Sequence, residues 1–265
     1  MAQIEVEREG GVLIVTMNRP QRYNAMTLTM FAQMADAWDE LKNDDSLTCA
    51  ILTGAGGNFS AGMDLRAMAG DEDNEGAIDT ATRLKEDPGF VYRGLLKNDR
   101  PYKPVIAAVE GYAFAGGTEV LQGTDIRVAS TSAKFAVSEA KRSLYPMGGS
   151  AVRLRRQIPY AWAVDILVSG RDITAEEALQ IGLVSYVVPE GDALTKAKEI
   201  AANVASCGPL AVEAIMQVLR ETEHMSEQEA FAYEQPLGNA VFASDDAKEG
   251  PLAFKEKRDP VYKRK

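Results

Sequence analysis

The chain has 265 residues, 46% of them hydrophobic and 26% charged, which suits one large domain or a domain with an appendage. Its formal charge of -10 disfavours nonspecific binding to nucleic acid or to anionic membranes, though a few local cations could still hold a small anionic ligand. Cys49 and Cys207 stand in no metal-ligand or CxxC spacing, which suggests a reducing compartment and no disulfide framework.

The opening residues lack the long apolar core of a signal peptide and are too acidic for a transit peptide. No apolar run is long enough to cross a bilayer, so a cytoplasmic protein is expected. Residues 11–17 form an apolar run between turn signals and read as a buried strand. Residues 27–42 carry Leu28, Phe31, Ala35, Trp38 and Leu41 at helical spacing. Residues 48–53 and 104–109 read as further buried strands, and 125–129 and 134–137 as short ones. Between them, residues 66–87 are polar, acidic and without apolar period, and read as a mobile loop leading into a surface helix. Strands separated by helices suggest parallel pairing through crossovers.

Farther on, Thr174 and Glu177 make a capping box for a short helix that closes at Gly182. Residues 184–188 are one last strand. Residues 192–205 are strongly helical, Gly208-Pro209 opens another helix, and 226–257 also read as helical. The expected organisation is an α/β core at 1–190 and a helical C-terminal segment at 191–265. There is no internal repeat.

Several chemistries are absent. One histidine, His224, cannot make an HExxH zinc site, and no GxxxxGK occurs. Gly54-Ala55-Gly56-Gly57-Asn58-Phe59 begins like a dinucleotide fingerprint but ends in Phe where close helix packing needs glycine. Ser60 sits in a near-copy of a nucleophile elbow, yet the only imidazole is far downstream in a charged helix, where it reads as a solvated surface residue.

Two glycine-bearing turns follow two expected strands: Gly57-Asn58-Phe59-Ser60-Ala61-Gly62-Met63-Asp64-Leu65 and Gly111-Tyr112-Ala113-Phe114-Ala115-Gly116-Gly117-Thr118-Glu119. Small residues let a ligand approach the backbone, and a turn opening a helix leaves N–H groups unpaired. Two such turns at one end of a parallel sheet could aim two donors at a single oxygen, as an oxyanion hole does.

Along nearly its whole length the chain resembles the crotonase, or enoyl-CoA hydratase/isomerase, superfamily. Met17-Asn18-Arg19-Pro20 with Asn24-Ala25 resembles its N-terminal signature, and Phe59-Ser60-Ala61-Gly62-Met63-Asp64-Leu65 its F-x-A-G-x-D-[LI] motif. Gly111 to Gly117 resembles its G-x-A-x-G-G-G turn. Residues 174–189 resemble its A-x-E-A-x-x-x-G-L-V segment, and Phe254-Lys255-Glu256-Lys257-Arg258 its F-x-E-K-R.

The resemblance implies an α/β crotonase fold of repeated ββα units with a helical C-terminal segment. It implies N–H donors at Met63 and Gly116 that hold a thioester enolate. It makes Glu119 the residue that orients and deprotonates water and Glu139 the donor to the α-carbon in hydration of a 2-enoyl-CoA. Met147 stands where hydratases commonly have glycine, which bears on the water site. Arg22, Ala61, Asp64, Arg66 and Lys257 stand at positions implied to hold the coenzyme A thioester, Lys257 that of a neighbouring subunit. The thioester is substrate; no further cofactor and no metal are implied. The C-terminal helices imply a homotrimer or a hexamer built as a dimer of trimers. A Δ3-Δ2 enoyl-CoA isomerase or other enolate chemistry, and a non-catalytic acyl-CoA-binding scaffold, are the competing readings.

Overall fold

A computed structural model of the chain describes residues 2–68 and 78–265. Its strands, in chain order, are Ile4–Glu9 (β1), Val12–Met17 (β2), Cys49–Gly54 (β3), Val105–Val109 (β4), Tyr112–Phe114 (β5), Ile126–Ser130 (β6), Lys134–Ala136 (β7), Ile173–Thr174 (β8) and Tyr186–Val188 (β9). β1, β2, β3, β4, β6 and β9 form one sheet in that order, parallel except for the β1–β2 hairpin. β5, β7 and β8 form a small second sheet. The strands expected at 11–17, 48–53, 104–109, 125–129 and 184–188 lie in the larger sheet, and the short one expected at 134–137 is β7 of the smaller sheet. β1 was not among the expected strands. It buries only Ile4, so the ladder to β2 holds it rather than burial.

Leu28–Asn43 (α1) covers one face of the larger sheet. The Thr27 hydroxyl caps it by accepting from the Met30 N–H at 3.2 Å. Its buried stripe is Met30, Phe31, Met34, Ala35, Trp38 and Leu41, while Leu28, expected inside, is exposed on the first turn. Each large side chain of this stripe contributes about 1.5–3 kcal/mol by burial. Alternate strand residues Leu13, Val15, Ala50 and Leu52 meet α1 in one core, and Val12, Ile14, Cys49 and Ile51 point into a second. Helices on both faces explain why these strands read as continuous apolar runs rather than alternating ones.

The short helices Leu65–Met68 (α2), Thr80–Glu86 (α3) and Phe90–Gly94 (α4) follow β3. The loop expected over 66–87 falls partly on residues outside those described; α3 is its surface helix, with no buried residue. Gly116–Leu121 (α5) follows β5. Ser150–Gln157 (α6) and Tyr160–Val164 (α7), the latter continued by a π-helical turn at Asp165–Ser169, were not among the expected elements. Ala175–Gln180 (α8) carries the expected capping box of Thr174 and Glu177.

Ala193–Ala205 (α9) closes the second face of the sheet with Ala193, Ala197 and Ala201, so the core runs past residue 190, where the C-terminal segment was expected to begin. Pro209–Glu221 (α10), Glu227–Ala243 (α11) and Asp246–Glu256 (α12) complete the chain, and the helix expected over 226–257 is broken at Ser244 and Asp245. α10 and α11 bury no residue at all. Among the described residues no single helix is long and apolar enough to cross a membrane.

Candidate active site

The two glycine-bearing turns meet. Leaving β3, the chain runs beside β5: the Ser60 N–H donates to Tyr112 O and the Phe114 N–H to Ser60 O, each at 2.8 Å. Two residues on, it pairs with the segment before α1, the Met26 N–H donating to Gly62 O at 2.7 Å and the Asp64 N–H to Met26 O at 2.9 Å. Ser60 is fully buried; its hydroxyl donates to Asn24 O at 2.8 Å and accepts from the Gly62 N–H at 3.1 Å. It is a strut in this turn rather than a nucleophile. His224 is exposed, on a different cavity.

Gly62 adopts φ +93°, and a Cβ there would stand 2.8 Å from Phe114 O and 2.9 Å from Gly116 N. Only glycine permits that approach. Gly116 is the first residue of α5, so its N–H has no partner within the helix. Neither the Met63 N–H nor the Gly116 N–H has an acceptor among the described residues. A Cβ built on Gly116 would lie 3.4 Å from Met63 N, so the two donors belong to one neighbourhood. Ala115, between β5 and α5, holds φ +49° without being glycine, a strained conformation that turns the chain into α5.

Both turns open on a cavity of about 670 Å³ that Met63, Gly116, Glu119 and Glu139 line together. Glu119 lies on α5, 5% exposed, and its Oε1 accepts from the Ser150 N–H at 3.2 Å. Burial raises its pKa, and the N–H groups of Ser150, Gly148 and Gly149 at the start of α6 oppose that rise. Gly148 is what admits the carboxylate: a Cβ there would stand 2.5 Å from Glu119 Oε2.

Glu139 begins a 3-10 turn, Glu139–Arg142, and its Oε2 is buried with no hydrogen-bond partner. Burial first, then the neighbouring Glu119, push its pKa up to about 7; its own N–H and Arg142 act the other way. The two acids are thus electrostatically coupled, and the pair favours one shared proton near neutrality. Such an arrangement can polarise a carbonyl by two backbone donors while one carboxylate accepts a proton and the other delivers one.

The remaining expected residues are scattered. Ala61 and Met147 line the cavity, Met147 largely exposed, with its carbonyl accepting from Lys97 Nζ at 2.6 Å. Arg22 and Arg66 are exposed on the flanks of the first turn. Asp64 is buried and pairs with buried Arg19 at 2.9 Å, and Arg19 also donates to Ala25 O at 2.6 Å. Its carboxylate holds the turn in place instead of facing the cavity. Lys257 is the exposed C-cap of α12 and is not on the cavity wall.

Two features escaped the motif reading. The start of α6 as a seat for Glu119 was signalled only by Gly148-Gly149 beside Pro146. Arg142, also on the cavity wall, had no signal beyond its spacing from Glu139.

Comparison with known proteins gives a consistent result. The family described as Enoyl-CoA hydratase/isomerase matches residues 7–265. Enoyl-CoA hydratase EchA19 of Mycobacterium tuberculosis is 57% identical over 261 residues, 97% of this chain and 95% of that protein. Carnitinyl-CoA dehydratase of Escherichia coli (strain K12) is 38% identical over 265 residues, 98% of each. Among solved structures, an enoyl-CoA hydratase from Mycobacterium tuberculosis H37Rv superposes with a TM-score of 0.89 at 39% identity, covering 100% of both chains.

Proposed function

The chain belongs to the enoyl-CoA hydratase/isomerase family and has the crotonase fold, and on that premise we propose that it reversibly hydrates a 2-enoyl-CoA to a 3-hydroxyacyl-CoA with Glu119 and Glu139 as the proton-transfer pair. The observation that carries this reading is one cavity holding two carboxylates beside two unpaired backbone donors.

The thioester oxygen accepts from the N–H groups of Met63 and Gly116, which draws electron density from C3. Glu119, ionised and held by the start of α6, takes a proton from water as its oxygen bonds to C3. The C2–C3 π electrons move to the thioester oxygen as an enolate. Glu139, protonated near neutrality, then gives its proton to C2 and the carbonyl re-forms. Each preorganised N–H supplies about 2.7–4 kcal/mol of barrier lowering in holes of this kind. The reaction combines nucleophilic addition of water at C3 with two proton transfers and calls for no resident cofactor.

Exposed Arg22 and Arg66, with Ala61 between them on the first turn, are the residues we assign to the coenzyme's anionic end, with Lys257 reaching that of a neighbouring copy. We assign α10 to α12 to contacts between copies in a trimer or a dimer of trimers. Phe242 and Phe254, 84% and 87% exposed, support that assignment, and light scattering of the purified protein checks it. The free thiols Cys49 and Cys207 support a cytoplasmic setting.

The test of the activity is loss of enoyl absorbance for crotonyl-CoA with the wild type, Glu119→Gln and Glu139→Gln. Turnover that collapses in both variants supports the two-glutamate hydratase. A wild type that binds the thioester but shows no turnover overturns it.

A further inference from the structure

Arg142 stands three residues past Glu139 in the 3-10 turn Glu139–Arg142. In such a turn, side chains at i and i+3 eclipse, so Arg142 rises from the same face as Glu139. Both line the cavity, and Arg142 is the only cationic side chain on its described wall. The guanidinium is near enough to favour the ionised form of Glu139. Among the described residues it makes no hydrogen bond or ion pair. Leu144, Tyr145 and Met147 continue the same wall.

The path of a bound thioester follows from the proposed chemistry. With its oxygen at Met63 and Gly116 and its C2–C3 bond between the two glutamates, an acyl chain that continues past Glu139 would meet Arg142, which is exposed at that wall of the cavity. A purely hydrocarbon chain gives nothing to an unpaired guanidinium there. A carboxylate on the chain would meet a planar fork of donors that matches it bidentately. Without that cation, ionised Glu119 would repel such a chain.

We propose that Arg142 selects 2-enoyl-CoA thioesters whose acyl chain ends in a carboxylate a few carbons beyond C3, the dicarboxylic class. This inference rests on the hydratase reading.

The test compares 2-hexenedioyl-CoA with 2-hexenoyl-CoA, equal in length and differing in the terminal carboxylate, in wild type, Arg142→Leu and Arg142→Lys. The readout is the ratio of kcat/KM for the diacid to that for the monoacid. A charge-assisted bidentate contact predicts a fall in this ratio of about 100-fold in Arg142→Leu, with partial recovery in Arg142→Lys. A ratio unchanged by Arg142→Leu overturns the proposal, whatever the absolute rates. Should neither thioester be hydrated, the hydratase reading falls, and the saturated adipoyl-CoA and hexanoyl-CoA serve as binding probes in calorimetry. Weakened binding of adipoyl-CoA alone in Arg142→Leu then supports the recognition role, and equal affinities in both proteins overturn it.

Discussion

The α5–α6 side of the cavity and the side formed by residues 138–147 each carry one glutamate, and the two sides are built differently. Glu119 is buried on a helix, accepts N–H groups from the start of α6, and has its approach cleared by Gly148. Glu139 starts a short turn in a largely exposed segment and keeps a buried oxygen without a partner. Backbone donors offset the burial of the first and favour its ionised form, whereas the second meets burial and a neighbouring negative charge with less compensation. Two residues of the same type thus acquire different proton affinities, as acid and base roles require.

Replacing either glutamate by glutamine is the most severe way to probe this contrast. Each change is expected to lower kcat by about 100- to 10,000-fold, the range of general acid–base catalysis. A loss confined to one variant would break the two-carboxylate assignment. Gly148→Ala acts on the Glu119 side alone, because its methyl would stand 2.5 Å from Glu119 Oε2. Displacing that carboxylate is expected to lower kcat by about 100-fold with little change in KM, since geometric errors of this size act on the reacting atoms. A steady-state comparison of both parameters decides it.

The Glu139 side is addressed by pH. Its pKa is raised to about 7, so the proton it donates is present below that value and lost above it. kcat/KM is therefore expected to fall on the alkaline side with an apparent pKa near 7 belonging to the coupled pair. A profile that stays flat from about pH 6 to about pH 9 would contradict the acid role. The smallest effect concerns the strained link into α5. Ala115→Gly relieves φ +49°, and after the added entropy of the unfolded chain about 1 kcal/mol of stability remains as the expected gain. For a chain of this length that is about 2–4 °C in Tm by calorimetry.

The larger sheet was legible because its strands are covered on both faces and read as apolar runs, as at 11–17 and 48–53. α1 was legible through its period and the Thr27 cap. β1 was not, because five of its six residues are exposed and only pairing makes it a strand. Of the second sheet only β7 was legible, as the short strand expected at 134–137, while β5 and β8, of three and two residues, are too short to show a period. The two turns and both glutamates, which the fold brings to one cavity, stood out by motif spacing. The ion pair of Asp64 with buried Arg19 could not be read from the motif, because a motif position does not say what a carboxylate meets. The seat of Glu119 at α6 left only the trace of Gly148-Gly149, since Gly148 lies 29 positions along the chain and its closeness is a product of folding.

The order β1-β2-β3-β4-β6-β9 bears on synthesis as well as on shape. Each new strand of the larger sheet docks beside the one made before it, so a chain emerging from the ribosome can extend its sheet without waiting for distant partners. Every residue assigned to the chemistry, from Met63 to Glu139, precedes β9 and α9 in that schedule. Until those two elements emerge, β6 presents an open edge and the Ile51 face of the sheet lacks α9. The nascent chain therefore keeps an open edge and an uncovered sheet face after the residues assigned to the chemistry have been translated.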